Sequence, residues 1–123
     1  MIRVFLVDDQ TLVRQGIRSL LALAEGIEVV AEAADGRQAL EAIPQVRPDV
    51  VLMDMRMPVM SGLEALQALG RAGVLPPTII LTTFDDDQLV LAGIKAGAKG
   101  YLLKDVSLEQ LVGAIETVAE GGS

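Results

Sequence analysis

The sequence predicts an α/β fold: a five-stranded parallel sheet in the order 2-1-3-4-5, flanked by five helices. Three observations carry this expectation. Short apolar runs alternate five times with longer segments of helical spacing. The first run, Ile2 to Val7, is almost continuously apolar, which suits a strand buried on both faces of a sheet. The chain has 123 residues, the length of one domain, without internal repeats or low-complexity tracts. Right-handed crossovers then restrict the topology, and 2-1-3-4-5 is the common strand order at this length.

Each element has its own signal. After Ile2 to Val7, a turn at Asp8 and Asp9 leads to Val13, Ile17, Leu20, Leu21 and Ala24 at helical spacing, with Gly26 as the expected C-terminal cap. The second strand is Glu28 to Ala33. The second helix opens at Asp35 with Gln38 three residues on, the spacing of a capping pair, and Pro48 stops it. The third strand, Asp49 to Met53, precedes a helix opened by Ser61 and Glu64. Pro76 and Pro77 lead into the fourth strand, Thr78 to Leu81, and a helix from about Asp87 to Ala96 ends before Gly97. The fifth strand is Gly100 to Leu103. The last helix opens with Ser107 and Gln110 and carries Leu108, Leu111, Val112, Ile115 and Val118 on its inner face. Residues 1–120 are expected to form the domain. Residues 121–123 read as the start of a flexible connector, cut before whatever follows.

Composition narrows the chemistry. Hydrophobic residues make up 51% of the chain, enough for a packed core, and that core must be aliphatic because Phe5, Phe84 and Tyr101 are the only aromatics. No apolar run approaches the roughly 20 residues of a membrane span, and no basic segment precedes a cleavable apolar stretch, so a soluble, cytoplasmic protein without a membrane partner is expected. The absence of Cys and His excludes thiolate and imidazole catalysis and leaves only hard, oxygen-preferring cations as metals. The net charge of −7 is the wrong sign for gripping a phosphate backbone, so this domain should not bind DNA by itself.

In open parallel sheets ligands bind at the carboxyl ends of the strands. There the sequence places Asp8 and Asp9 after strand one, Asp54 after strand three, Thr82 after strand four and Lys104 after strand five. Three carboxylates on one rim repel one another unless a cation neutralises them, and Mg²⁺ accepts such a donor set. An aspartate beside a bound cation can attack phosphorus, with Lys104 supplying a point charge and Thr82 a hydroxyl donor for phosphoryl oxygens. Taken singly, an Asp-Asp turn, a strand-end Thr and a solvated Lys are ordinary; their joint placement on one rim is not.

The segments Val7-Asp8-Asp9, Val51-Leu52-Met53-Asp54-Met55-Arg56-Met57-Pro58, Leu81-Thr82-Thr83 and Gly100-Tyr101-Leu102-Leu103-Lys104 resemble the receiver domain of two-component response regulators over essentially the whole chain. The resemblance implies the flavodoxin-like receiver fold. It also implies that Asp54 is the phosphoacceptor, that Asp8 and Asp9 form the acidic metal pair, and that the backbone carbonyl of Arg56 completes the Mg²⁺ shell. Thr82 and Tyr101 then match the switch pair, and Lys104 the phosphoryl-binding lysine. The chain would catalyse its own phosphorylation and dephosphorylation without being a conventional enzyme. A separate sensor histidine kinase would supply the phosphate, because no His is present to carry it. Leu102-Leu103-Lys104-Asp105 and Thr82-Thr83-Phe84-Asp85-Asp86 are similar to the NarL/FixJ branch, which has a LuxR-type output. That implies control of transcription through a C-terminal helix-turn-helix domain, with DNA bound only by that domain, and homodimerisation on phosphorylation. Asp105 stands where the broader family often has proline. Arg56 and Phe84, beside the path of the hydrolytic water, imply slow loss of the phosphoryl group, since neither is a carboxamide or carboxylate.

Two other functions share parts of the pattern. A Mg²⁺-dependent phosphatase with an aspartate nucleophile wants a second Asp two residues on, where Arg56 stands. A flavin-binding module wants a hydroxyl- and glycine-rich loop after strand one, where Asp8 and Asp9 would repel a phosphate. The run Asp85 to Asp87 reads as a solvated helix start favoured by the helix dipole.

Overall fold

The computed structural model describes residues 1–83 and 86–122. Strands β1 (Ile2–Val7), β2 (Ile27–Ala33), β3 (Val50–Asp54), β4 (Thr78–Thr82) and β5 (Gly100–Leu103) alternate with helices α1 (Thr11–Leu21), α2 (Gly36–Val46), α3 (Gly62–Arg71), α4 (Asp87–Lys95) and α5 (Leu108–Ala119). Every strand pairing is parallel and the order is β2-β1-β3-β4-β5, as expected.

The sheet separates two cores because successive side chains of a strand point to opposite faces. Phe5, Val7, Val51, Met53 and Ile80 pack with Ala39 and Ile43 of α2 and with Ala65, Leu66 and Leu69 of α3. Val4, Leu6, Val50, Leu52, Ile79 and Leu81 pack with Ile17 and Leu21 of α1 and with Leu111, Ile115 and Val118 of α5. Fully burying each large aliphatic side chain contributes about 1.5 to 3 kcal/mol, so these two layers hold the helices to the sheet. Helix α4 is the exception. Its only buried residue is Gly93, where a β-carbon would lie 2.3 Å from Ile80 Cδ1 and 3.0 Å from Met55 Cε. It approaches the sheet closely at that glycine, with Leu89 packed part-buried against the core.

The capping signals act as the spacing predicts. Ser61 accepts from the Glu64 amide at 3.1 Å while Glu64 accepts from the Ser61 amide at 3.1 Å. Ser107 and Gln110 form the same reciprocal pair at 3.2 and 3.1 Å. At α2, Asp35 accepts from the Gln38 amide at 2.9 Å, but Gln38 reaches the Ala34 amide instead, one residue before the cap. Helix α1 ends earlier than its periodicity implies. Ala22 is its C-cap, and the amides of Leu23 and Ala24 bond three residues back, a tightened turn that keeps Ala24 on the core side. Gly26, at φ +81°, therefore makes the turn into β2 instead of capping α1.

Strand register brings the carboxyl ends together. Val7 lies beside Met53, Asp54 beside Leu81, and Thr82 beside Leu103. The residues that close these strands, or directly follow them, therefore stand along one rim.

Candidate functional site

Asp8 follows β1 and is fully buried, Asp54 closes β3 and is 6% exposed, and Thr82 closes β4 and is 4% exposed. Asp54 and Thr82 thus sit inside their strands, one residue earlier than the sequence suggests. Asp9 is exposed at the lip of the same rim. One carboxylate oxygen from each of Asp8, Asp9 and Asp54 lies within 4.8 Å of the others. Lys104, directly after β5, enters between two of them, with its Nζ 3.0 Å from Asp8 Oδ2 and 3.1 Å from Asp54 Oδ2.

One oxygen of this set is not satisfied by the protein alone. Asp8 Oδ2 is buried and meets the Lys104 ammonium as an ion pair, without the alignment of a hydrogen bond to any partner. Burial above all, helped by the neighbouring Asp8 charge, pushes the Asp54 carboxyl up to about 6, against the Lys104 ammonium and the Arg56 amide, which lower it. For Lys104, burial works against the charged form, but Asp8 and Asp54 outweigh it and hold the ammonium above its ordinary range. A buried oxygen without a hydrogen bond, in a set of purely oxygen donors, suits a hard divalent cation. The site could hold one.

The remaining predicted residues stand nearby. The Arg56 amide faces Asp54 Oδ1 at 3.4 Å, while its side chain runs away from the rim to Asp86. The Thr82 hydroxyl donates to the Thr83 carbonyl at 3.1 Å. Tyr101 is 56% exposed beside a cavity of about 570 Å³ lined by Thr82, Val90, Leu91, Ile94 and Leu103 among others. The Lys104–Asp105 peptide is trans. Phe84, expected beside the hydrolytic water, lies outside the described residues.

Sequence reasoning missed Asp86. Read as part of a solvated helix start, it accepts instead from Arg56, thirty residues away, in a two-pronged ion pair. An arginine and a carboxylate on different loops, thirty residues apart, give no local sign of such a partnership.

The loop joining β3 to α3 is strained. Val59 has φ +69°, and the Met60 amide closes a three-residue turn on the Pro58 carbonyl at 2.7 Å. A β-branched residue in the left-handed region costs roughly 1 to 2 kcal/mol, and Val59, 77% exposed, recovers little by packing. Val59→Gly is therefore expected to stabilise the domain by about 1 kcal/mol after the entropy of the added glycine is subtracted, raising Tm by about 4 °C. Thermal denaturation checks this, and a lower Tm would show that the turn stores no strain.

The sequence model of the family described as "Response regulator receiver domain" matches residues 4–116. Among curated proteins, the chain is 50% identical over 119 residues to the nitrate/nitrite response regulator protein NarP of Escherichia coli (strain K12), covering 97% of this chain and 55% of that protein. It is 43% identical over 122 residues to the transcriptional regulatory protein LnrK of Bacillus subtilis (strain 168), covering 99% and 56%. The chain thus spans about half the length of these relatives. Among solved structures, the signal receiver domain assigned to the response regulator NarL from Mycobacterium tuberculosis superposes with a TM-score of 0.91 at 36% identity, covering 98% of this chain and 97% of that one. The response regulator ChrA of a heme-sensing two-component system matches with a TM-score of 0.84 at 45% identity, covering 98% and 58%.

Proposed function

The chain belongs to the response regulator receiver domains, and from that premise we propose that Asp54 accepts a phosphoryl group from the phosphohistidine of a partner kinase, in a Mg²⁺-dependent reaction that switches the domain. The observation that carries this reading is the Lys104 ammonium between Asp8 and Asp54, with Asp9 completing a carboxylate triad. Asp54 Oδ attacks phosphorus, a new P–O bond forms as the P–N bond to the donor breaks, and the electron pair leaves with the donor nitrogen. Lys104 neutralises a phosphoryl oxygen and keeps the acceptor carboxylate charged. Asp8, Asp9, Asp54 and the Arg56 carbonyl would hold Mg²⁺, which when bound offsets the carboxylate charge that otherwise repels an incoming phosphate.

Thr82 and Tyr101 form the readout. The Thr82 hydroxyl, bonded to its neighbour's carbonyl, exchanges that partner for a phosphoryl oxygen, a charge-assisted bond of roughly 1.5 to 3 kcal/mol. The Tyr101 ring then turns into the adjoining cavity, changing the surface of α4, β5 and α5. Control of transcription, the role named for the relative LnrK, would be exercised through a helix-turn-helix domain after residue 120 that contacts DNA, with homodimerisation on phosphorylation. No helix among the described residues is long and apolar enough to cross a membrane. A cytoplasmic location fits a histidine-kinase partner. The phosphatase reading lacks a second carboxylate two residues after Asp54, where Arg56 stands.

Intact-mass measurement after incubation with phosphoramidate tests the proposal. One phosphoryl adduct is expected with Mg²⁺, none in chelator, and none for Asp54→Asn. Unchanged mass for the wild type, or equal labelling of Asp54→Asn, would overturn it.

A further inference from the structure

Resting on the reading of Asp54 as phosphoacceptor, we propose that Asp86 is a positioning residue: it holds the Arg56 guanidinium away from Asp54 until a phosphoryl group arrives, so that the phosphoryl oxygens and the Asp86 carboxylate compete for one cation.

The first observation is what Asp86 does not do. It occupies the N-cap of α4, where an aspartate ordinarily accepts from the amides of the first turn, yet its side chain makes no capping bond. Its carboxylate is instead taken by Arg56, with Nε 3.0 Å from Oδ1 and 3.2 Å from Oδ2, and Nη2 2.7 Å from Oδ1. The Thr83 hydroxyl, next to the proposed switch Thr82, adds a contact to Oδ2 at 3.4 Å. Among the described residues Arg56 is the only cation paired with Asp86.

The second observation is where Arg56 comes from. It lies two residues after Asp54, with its amide already facing Asp54 Oδ1. Its side chain is 70% exposed, so the bonds to Asp86 rather than packing set its direction. The bare Asp54 carboxylate offers it little, being paired with Lys104 at 3.1 Å. A phosphoryl group changes that balance by bringing a charge approaching −2 and three acceptor oxygens, more than one ammonium satisfies. The planar fork of arginine suits those oxygens. Once Arg56 transfers, the start of α4 loses its tie to the loop after β3. Of that helix only Gly93 is fully buried, with Leu89 packed part-buried against the core.

Competition of this kind is reciprocal: whatever weakens the hold of Asp86 on Arg56 strengthens phosphoryl binding by up to the same factor. The test titrates beryllofluoride, a phosphoryl analogue, into the whole chain in saturating Mg²⁺, following Tyr101 emission and the ¹⁹F signal of the bound species. The proteins compared are the wild type, Asp86→Asn, Arg56→Ala and the double variant. Asn serves as an N-cap as well as Asp, and Arg56→Ala keeps the backbone carbonyl. Asp86→Asn is expected to bind ~1.5- to 5-fold more tightly than wild type, the range open to a surface ion pair. Arg56→Ala should bind more weakly than wild type, and the double variant should match Arg56→Ala. Unchanged or weaker binding by Asp86→Asn would overturn the proposal. So would a gain that persists without Arg56, since a purely structural effect on α4 needs no guanidinium. A wild type that takes up no beryllofluoride would overturn the phosphoacceptor reading itself, and this proposal with it.

Discussion

Lys104→Met is expected to destabilise the metal-free domain by about 3 to 5 kcal/mol near pH 8, the usual penalty for removing one partner of a buried ion pair. The substitution leaves two buried carboxylates, Asp8 and Asp54, facing each other without the ammonium that stands 3.0 and 3.1 Å from them. The deficit should shrink on acidification. In the wild type the folded Asp54 carboxyl lies at about 6, above its unfolded value of 3.8. Its ionisation therefore works against the fold, and stability falls as pH rises through that window. Allowing for solvent screening at the rim, this costs the wild type about 1 to 2 kcal/mol at neutral pH. Lys104 lowers the Asp54 value, so its removal raises that value further and the variant regains more than the wild type on returning to about pH 5. Lys104 itself contributes in the opposite sense: its folded value is raised, so its stabilisation is complete below 10.5 and lost only above that. Urea denaturation in chelator at the two pH values checks both the size and the slope. A constant deficit would mean that Lys104 acts by packing alone.

Gly62→Ala should cost about 3 kcal/mol and slow phosphoryl uptake at Asp54 by roughly 10-fold or more. A β-carbon at Gly62 would lie 2.0 Å from the Asp54 carbonyl oxygen and 2.9 Å from Met55 Cα, backbone atoms that cannot rotate aside. The Gly62 amide also bonds the Met55 carbonyl at 3.1 Å, so displacing α3 displaces the peptide that carries the phosphoacceptor. The sign is decisive, because Ala is the better helix former by about 1 kcal/mol. Gly113→Ala in α5 is the natural comparison: nothing lies within 4 Å of its β-carbon, and that variant should gain stability. Equal melting temperatures for Gly62→Ala and wild type would remove the contact from the account.

What the sequence disclosed and what it withheld differ in range. Ser61 with Glu64, and Ser107 with Gln110, are three residues apart, so the helix starts could be read locally. The rim residues were legible for a related reason: in a parallel sheet, all strands end on the same side, so Asp54, Thr82 and Lys104 converge once the strands are recognised. The close packing at Gly62 was foreseeable as a glycine at a helix start, though not its target, the Asp54 carbonyl. Arg56 with Asp86 had no such guide, since neither residue is apolar or periodic and their loops come from different crossovers. The end of α1 was misplaced because Ala24 keeps the helical spacing through a tightened turn that is no longer α-helical.

The shallow seating of α4 has a consequence for inheritance. With Gly93 as its only buried residue, the helix has outer positions, including Leu91 and Ile94, that carry no part of the aliphatic layers. Substitutions there fall in the class that changes stability by roughly half a kcal/mol or less. A lineage can therefore rewrite what this helix displays while the sheet and its acidic rim stay under separate constraint. Gly93 is the position of α4 most constrained against drift, because any side chain there must displace the ends of Ile80 or Met55.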